Sequence, residues 1–476
     1  MNIDKKIEEK SYIFISLVGR AVFRNLFYFP RSAFSLLKEE ARRRNFHIVV
    51  LVPEKDKGKY DSLLGDGLGS IYNILEVPVP SPKETFLQKA FFFFYSHLIY
   101  TDTTRLMATL GMRPDEPPAG GKRYLAPLKK IIARTFGSSR IFKRFAVPWL
   151  FRKVYRELPF ADVFEKYKPS LVVISHMYGW FDQNLLAEAK LRGVRNVGLP
   201  AGWDHLDKYF FPFSTDRLIA QSKELKRGSI LYQAYNPEEV VVTGYPHFDF
   251  IIDSSYKLKR SEVLKRLGFP SDAKFILYVS GSTYCPDEPD IIETLLTWIE
   301  NGELGKNVFL VIRPYLGGRS KDREFDEKKY NQFENHPLVS YYRDDFWEKY
   351  ETGIVFMNIL NQADIVLAIF TTMALEASIL DRPLLAVGFD GHNVRPLYRS
   401  VRRYELFEHF QHVRATGALP TAYNFKELKK MLKDNLENPA LFAKEREKMR
   451  LELAAPLDGK ASERVVREII SQLSWR

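Results

Sequence analysis

Candidate groups for acid–base chemistry occur in two loops of the N-terminal half. Asp204 and His205 lie in LPAGWDHLDKYF, directly after the apolar run NVGL, and His176 follows another apolar run, LVVIS. Because apolar neighbours such as Trp203 shift the pKa of a carboxyl or imidazole group, such loops can hold a general base near neutral pH. We therefore expect Asp204, His205 or His176 to be the catalytic base. The alternative is that each is an ordinary hydrogen-bonded loop residue.

Residues suited to binding phosphate occur in the C-terminal half. The turn SGST follows the run FILYV, and its backbone N–H groups and hydroxyls could contact a phosphate. Arg313 ends the run VFLVIR, and a guanidinium is permanently charged and binds a diphosphate in a bidentate manner. The alternatives are an ordinary tight turn and a surface salt bridge. The turn consists of Ser280, Gly281, Ser282 and Thr283.

The segment IFTTMALEASILDRPLLAV combines a strand, a helix start and an acidic side chain. Thr371 and Thr372 can cap the helix, whose first N–H groups and positive dipole end suit a phosphate. Glu376 lies one turn further, between apolar neighbours, where it could hold ribose hydroxyls. The alternative for Glu376 is a solvated helix position. Together with the groups above, these residues form a predicted donor-binding site.

Common metal and phosphate motifs are missing from the sequence. It contains no HExxH, no Walker P-loop and no GxGxxG, and no Asp-x-Asp follows a predicted strand. The single Cys285 excludes an intramolecular disulfide and a multi-cysteine metal site. We therefore expect no metal and no cofactor, so an activated group would have to arrive as a substrate.

The strand and helix pattern predicts two parallel sheets that position these loops. Continuous β-branched runs such as HIVVLV alternate with helix-period segments, which indicates strands buried on both faces. The alternation breaks at residues 84–160, a predicted helical insertion, and starts again after Asp253. We predict an α/β protein with two Rossmann-like, doubly wound domains, residues 1–250 and 251–476. In such sheets ligands bind at the carboxyl ends of the strands.

Two further segments are predicted to contribute to the cleft between the domains. Gly19 and Arg20 end the first strand, Asn25 lies in the following helix, and with Lys208 they form a predicted acceptor-binding set. The segment VTGYPHFD follows the last strand of the first domain and is predicted to be a hinge, a ligand contact, or both. Its candidate residues are Gly244, His247 and Asp249.

The net charge of +12 belongs entirely to the first half of the chain. Residues 1–250 contain 38 Lys and Arg against 26 Asp and Glu, whereas the remaining residues contain 33 of each sign. Residues 117–156 include no acidic side chain at all. This surplus predicts an anionic partner: a nucleic acid, a phospholipid surface or a phosphorylated substrate. Since no nucleic-acid-binding motif is present, we do not expect nucleic acid.

The apolar segment FLQKAFFFFYSHLIY, residues 86–100, precedes the basic stretch. It is shorter than the roughly 20 residues of a membrane-spanning helix, and the short N-terminal run 13–18 does not fit a signal peptide. The segment is either a core helix or an aromatic helix at a membrane interface. We expect residues 86–156 to contact an acidic membrane surface from the cytoplasmic side.

Six pieces of sequence follow one another in a consistent order and spacing. They are RNLFYFPRSAFSLLKEEARRRNFHIVVLVP, GWDHLDKY, VTGYPHFD, VIRP, TTMALEASILDRP and PLDGKASERVV. In these pieces the chain resembles the GT-B superfamily of glycosyltransferases, within it the CDP-glycerol glycerophosphotransferase-like and bacterial surface-carbohydrate transferases. The resemblance implies an acceptor-binding first domain, a second domain that binds a nucleotide-activated donor, and a last helix, 461–473, that crosses back to the first domain.

The resemblance also implies a metal-independent reaction in which an acceptor hydroxyl displaces a nucleoside diphosphate. Arg313, the SGST turn and Thr372 would then stabilise the leaving diphosphate, and Glu376 would hold the ribose.

Two differences from the glycerophosphotransferases favour sugar transfer. Those proteins carry a His-Gly pair in the loop where this chain reads Ala201, Gly202, Trp203 and Asp204. They also carry a His at the position of Tyr315. We therefore expect a glycosyltransferase that uses a nucleotide-sugar donor and a lipid-linked or cell-surface glycan acceptor. The alternatives are a glycerophosphotransferase of the teichoic-acid type and a nucleotide-sugar epimerase with the same architecture.

Overall fold

The computed structural model describes residues 11–60, 74–80, 83–118, 121–315, 320–343 and 350–473. Within these residues the strands form two sheets, of seven and six strands, and all neighbouring strands are parallel. The predicted α/β class with two doubly wound domains is confirmed.

The first sheet lies in the N-terminal half. Its strands are β1 (Ser11–Ser16), β2 (Phe46–Pro53), β3 (Ile74–Val79), β4 (Leu171–Ile174), β5 (Arg195–Gly198), β6 (Arg217–Ala220) and β7 (Val240–Val242). They run in the order β3-β2-β1-β4-β5-β6-β7. The direction of winding reverses between β1 and β4, and such a switch point opens a crevice at the carboxyl ends of the strands.

The second sheet repeats this plan in the C-terminal half. Its strands are β8 (Lys274–Val279), β9 (Val308–Arg313), β10 (Val339–Tyr341), β11 (Ile365–Ala368), β12 (Leu384–Val387) and β13 (Thr421–Ala422). They run in the order β10-β9-β8-β11-β12-β13, so the switch point lies between β8 and β11. The apolar runs of both sheets are almost completely buried, because helices cover both faces.

Helices connect the strands of each half. Those of the N-terminal half are α1 (Gly19–Leu26), α2 (Ala33–Arg44), α3 (Phe86–Ser96), α4 (Asp102–Leu110), α5 (Ala126–Thr135), α6 (Val147–Val154), α7 (Ala161–Tyr167), α8 (Trp180–Leu191), α9 (Lys223–Tyr232) and α10 (Pro246–Ile252). Those of the C-terminal half are α11 (Arg260–Leu267), α12 (Glu288–Glu300), α13 (Ser320–Tyr330), α14 (Tyr350–Gln362), α15 (Met373–Ile379), α16 (Glu408–Ala415), α17 (Phe425–Glu437), α18 (Ala443–Met449) and α19 (Ala461–Ser471).

The insertion between β3 and β4 contains α3 to α6. Phe91 and Tyr95 of α3 are buried and pack against Phe151 of α6. One face of α3 therefore packs in the core, and the interpretation of Phe91 and Tyr95 as membrane-facing is wrong, whereas Phe86 and Leu87 at its start are exposed. No helix within the described residues is both long and apolar enough to cross a membrane.

The last helix and the predicted hinge meet at the junction of the two halves. α19 packs on α2 and α10 of the N-terminal half. Asp249 of α10 accepts hydrogen bonds from the backbone N–H groups of Ala461 and Ser462, at 3.0 and 2.7 Å. Gly244 has φ +89°, and a Cβ there would lie 2.8 Å from the carbonyl oxygen of Pro456. The segment VTGYPHFD therefore fastens the C-terminal segment to the N-terminal half.

Candidate functional site

A cavity of about 680 Å³ opens between the two sheets. Its walls are the loops after β5, β8, β9 and β11, together with side chains of α1, α10 and α16. These are the carboxyl ends of the strands, where the doubly wound topology predicts a ligand. The predicted residues that line this cavity are Asp204, His205, Lys208, His247, Ser280, Gly281, Arg313, Thr371, Thr372 and Glu376.

Two guanidinium groups and one carboxylate meet in this cavity. Nη1 of Arg24, in α1, lies 3.9 Å from Oε1 of Glu376, in the first turn of α15. Arg313, at the end of β9, stacks its guanidinium on the ring of Phe356 at 4.4 Å. Two cations therefore face one carboxylate, and the local surplus of positive charge suits an anionic ligand.

Burial sets the electrostatics of this cluster. It raises the pKa of Glu376, an effect that Arg24 and Arg313 oppose. Burial also lowers the pKa of Arg313, with Glu376 acting in the opposite direction. Burial of each charged group therefore costs free energy, and the opposite charges of the cluster reduce this cost. A bound diphosphate would supply the negative charge that the two guanidinium groups need.

The start of α15 differs in part from the predicted cap. Oγ1 of Thr371 accepts a hydrogen bond from the N–H of Met373 at 3.0 Å. Thr372 occupies the N-cap position with helical backbone angles and without a side-chain cap bond. One backbone N–H that was predicted to face a phosphate therefore already has a partner within the protein.

The SGST turn is held by acidic side chains. The N–H of Gly281 donates to Oε1 of Glu288 at 2.7 Å, and the hydroxyl of Ser280 donates to Asp326 at 2.9 Å. The hydroxyls of Ser282 and Thr283 contact Asp322, so these two side chains point away from the cavity. Only Ser280 and Gly281 of the turn reach the cavity wall. A Cβ at Gly281 would lie 2.4 Å from Cδ1 of Ile369, so a larger residue there would displace the end of that side chain.

Asp204 and Lys208 form an ion pair at the N-terminal wall of the cavity. Although burial opposes ionisation of Asp204, Lys208 and the nearby imidazoles hold the pKa of this carboxyl below its ordinary value. A carboxylate with such a low pKa stays charged but is a weak base. The ammonium of Lys208 donates a hydrogen bond to Asp204 in this ion pair.

His205 and His176 lie side by side, with ring centroids 5.2 Å apart. Burial lowers the pKa of His205 to about 4, so its imidazole is neutral at pH 7 but weakly basic. His176 does not line the cavity, and its ring Nδ1 lies 2.9 Å from the backbone carbonyl oxygen of Tyr178. Its backbone N–H donates to the buried Asp182 at 2.8 Å.

The predicted acceptor residues mostly support the cavity wall. Nδ2 of Asn25 donates to the carbonyl oxygen of Ala201 at 2.5 Å and thereby holds the loop after β5. Gly19 begins α1 with φ +81° and lies outside the cavity. The side chain of Arg20 lies outside the described residues. Of this set only Lys208 lines the cavity.

The predicted hinge contributes one side chain to the cavity. His247 of α10 lines it, and burial together with the charge of Arg24 lowers the pKa of its imidazole well below the ordinary value. Gly244 and Asp249 instead serve the junction with the C-terminal segment.

Several cavity residues were not predicted from the sequence. Arg113 of the insertion reaches across to the C-terminal half, where its Nη1 donates to Asp322 at 2.6 Å. His409 of α16 lines the cavity and contacts Asp207 of the loop after β5. Arg24 stands beside Asn25 of the predicted acceptor-binding set, but its contact with Glu376 was not predicted from the sequence. Because the partners of Arg113 and His409 lie about 200 residues away, no local sequence pattern indicates these contacts.

Within the described residues, no group of three or more His, Cys, Asp or Glu side chains is arranged to hold a metal ion.

Comparison with known proteins identifies the architecture. No protein-family model matches the chain, and no curated protein sequence matches it. Among solved structures it is similar to S. aureus MnaA with UDP, at 16% identity and a TM-score of 0.51, covering 96% of each chain. A putative UDP-N-acetylglucosamine 2-epimerase from Listeria monocytogenes is 16% identical, with a TM-score of 0.52 over 97% of this chain and 96% of that one.

A third similar structure is UDP-GlcNAc 2-epimerase from Neisseria meningitidis bound to UDP-GlcNAc. It is 14% identical, with a TM-score of 0.52 over 97% of this chain and 100% of that one. Likeness at this level of identity defines the fold alone. The chain has the GT-B fold, in which two Rossmann-like domains face each other across a cleft.

Proposed function

We propose that this protein is a glycosyltransferase that moves a sugar from a nucleotide-activated donor to a lipid-linked or cell-surface glycan. The observation that carries the proposal is the cluster of Arg24, Arg313 and Glu376 inside the cleft between the two sheets. A nucleoside diphosphate matches this cluster, because its charge pairs with two guanidinium groups and its ribose hydroxyls can donate to one carboxylate.

The donor is held by groups of both halves in this proposal. Arg313 and Arg24 bind the diphosphate oxygens and stabilise the negative charge that develops on them as the bond to the sugar breaks. Glu376 accepts hydrogen bonds from the ribose. Two of the similar structures were solved with UDP and with UDP-GlcNAc, which supports a uridine nucleotide as the first donor to examine.

The acceptor is proposed to reach the cleft from the side of the insertion. Seven large apolar side chains within residues 124–149 are exposed. Exposed basic side chains, including Lys130, Arg152 and Lys153, lie in the same part of the insertion. Apolar and cationic groups together favour an anionic lipid surface. We propose that the protein lies peripherally at the cytoplasmic face of the membrane. The apolar residues are Tyr124, Leu128, Ile131, Phe136, Ile141, Phe145 and Trp149.

A nucleotide-sugar 2-epimerase is the second candidate function. The solved structures with which the chain shares its fold over nearly its whole length include proteins of that name. An epimerase needs no acceptor, whereas the exposed apolar and basic surface of the insertion favours one.

An assay of nucleotide release separates these functions. The purified protein is incubated with UDP-, GDP-, CDP- and dTDP-sugars, alone and with lipid-linked glycan acceptors. A glycosyltransferase releases nucleoside diphosphate only when both substrates are present, and the product glycan gains the mass of one sugar. Conversion of a donor into an isomer in the absence of acceptor would instead identify an epimerase. No reaction with any pair would contradict the proposal.

A further inference from the structure

A histidine and a carboxylate that are far apart in the sequence form a hydrogen-bonded pair at the cavity. Nδ1 of His409, in α16, lies 2.9 Å from Oδ2 of Asp207, in the loop after β5. Both side chains are more than nine-tenths buried. The same Oδ2 accepts a hydrogen bond from the hydroxyl of Thr103 at 2.6 Å. A carboxylate oxygen can only accept here, so Nδ1 of His409 carries the proton.

This arrangement determines which nitrogen of His409 is available. With the proton on Nδ1, a neutral imidazole presents its lone pair at Nε2. His409 lines the cavity, and Nε2 makes no hydrogen bond to any of the residues that the structure describes. The ring of Trp203 packs perpendicular to the imidazole at 5.1 Å and limits its rotation. His409 is therefore an oriented proton acceptor that faces the cleft.

Other candidate bases in the cavity are less suitable. The charge of Asp204 is committed to Lys208, and the imidazole of His205 is weakly basic because of its burial. His409 differs from both, because Asp207 holds its Nδ1 and its Nε2 makes no hydrogen bond within the described residues.

The pair joins the two halves of the protein. Asp207 belongs to the N-terminal half and His409 to the C-terminal half. Thr103, at the start of α4, donates to Asp207 and accepts a hydrogen bond from the N–H of Glu408 at 2.9 Å. The carboxylate of Glu408 in turn accepts from the N–H of Asp102 at 3.0 Å. The base is thus complete only while α4 and α16 are in contact.

We propose that His409 is the general base of the transfer reaction and that Asp207 is its positioning residue. The inference rests on the proposed glycosyl transfer. Nε2 of His409 takes the proton of the acceptor hydroxyl as that oxygen forms a bond to the anomeric carbon of the donor sugar. The bond between this carbon and the diphosphate oxygen breaks, and its electron pair leaves with the nucleoside diphosphate. The proton on His409 is then released to water.

The hydrogen-bonded pair can be tested without substrate by nuclear magnetic resonance. In protein labelled with ¹⁵N-histidine, long-range ¹H–¹⁵N spectra should show a neutral imidazole protonated at Nδ1 that disappears in His409→Gln. The signals of His97 and His176, whose Nδ1 atoms also lie within hydrogen-bond distance of carbonyl oxygens, should remain. Asp207→Asn should shift His409 towards the Nε2-protonated tautomer. His412→Gln is the matched control, since His412 lies on the same helix but outside the cavity. An Nε2-protonated His409 in the wild-type protein would overturn the pairing.

Kinetics then test the role of the pair. His409→Gln should lower kcat by about 100-fold or more, and Asp207→Asn should lower it with the dissociation constant of UDP unchanged in both variants. His412→Gln should retain wild-type kcat. If the wild-type protein transfers sugar and His409→Gln does so at the same kcat, the inference is wrong although the proposed function stands. If the wild-type protein shows no acceptor-dependent release, the function itself fails and the assignment of His409 fails with it.

Discussion

At the scale of single residues, the central feature of the cleft is a buried carboxylate between two guanidinium groups. Glu376 offsets part of the charge of Arg24 and Arg313 but leaves an excess of positive charge. Burying such a cluster of charges lowers the free energy of unfolding, because each charged group has lost its hydrating water. Residues of this kind are kept for binding rather than for stability.

The substitution Glu376→Gln tests this cost through its pH dependence. Burial raises the pKa of Glu376 in the folded protein, although Arg24 and Arg313 oppose this. The unfolded chain therefore loses the proton first, and the free energy of unfolding of the wild-type protein decreases as the pH rises from the ordinary glutamate pKa of 4.5 to the raised value. Glutamine has nearly the same shape as glutamate but does not ionise, so the free energy of unfolding of the variant should not show this decrease.

Urea unfolding of both proteins at about pH 4 and about pH 7 measures the difference. The variant should match the wild-type protein at the lower pH and be at least as stable at the higher pH, while UDP binding is weakened. A variant that is less stable than the wild-type protein at about pH 7 by more than about 1 kcal/mol would show that the ion pair with Arg24 dominates instead.

Residue types and spacing predicted part of this site. Arg313 and Glu376 follow strands in the sequence, and both line the cavity. The contact between Asp207 and His409 could not be predicted, since the two residues lie in different halves and His409 stands in none of the six sequence pieces, although Asp207 belongs to GWDHLDKY. The role of Lys208 also depends on a neighbour, because its pairing with Asp204 becomes visible only in the folded loop.

At the scale of secondary structure, the exposed surface of the segment 126–154, which contains α5 and α6, is the feature that packing does not explain. Ile141, Phe145 and Trp149 follow each other at intervals of four residues and are 74, 65 and 59% exposed. The nearby basic residues are not all available to a partner. Lys143 is buried and Arg144 pairs with Glu239, whereas other basic side chains of this segment remain exposed.

Vesicle binding tests this helix face. The wild-type protein should co-sediment with vesicles of phosphatidylcholine and phosphatidylglycerol and bind less at high salt. Replacing Phe145 and Trp149 together by Ser should weaken binding by about tenfold or more, because each buried aromatic side chain contributes about 1.5–3 kcal/mol. Leu451→Ser is the matched control, since Leu451 is 62% exposed in the C-terminal half. Equal binding by the double variant and the wild-type protein would contradict the proposed docking face.

Long, strongly apolar elements were predictable, and short edge elements were not. The runs FILYV, VFLVI and IVLAI coincide with β8, β9 and β11, because buried parallel strands need continuous apolar sequence. β3 was not predicted because it lies at the edge of its sheet and contains Pro78, which is untypical of a strand. β13 has only two residues, too few to give a pattern.

At the scale of the whole molecule, the two halves divide the work of the proposed reaction. The C-terminal half is electrically balanced and supplies Arg313, Glu376 and His409, whereas the N-terminal half carries the whole positive excess and supplies Arg24 and Asp207. Hydrogen bonds between α4 and α16 and the packing of α19 on α2 hold the halves together around the cleft. Binding and catalysis are therefore properties of the assembled cleft.

The most direct test of this account is the affinity of the cleft for a nucleoside diphosphate. Isothermal titration of UDP, GDP, CDP and dTDP should identify one that binds the wild-type protein. Its dissociation constant should rise about 10- to 100-fold in Arg313→Ala, because a charge-assisted hydrogen bond contributes about 1.5–3 kcal/mol. Arg343→Ala is the control, since this exposed arginine pairs with Glu334 outside the cavity. Unchanged affinity in Arg313→Ala, or no binding of any of the four, would contradict the account.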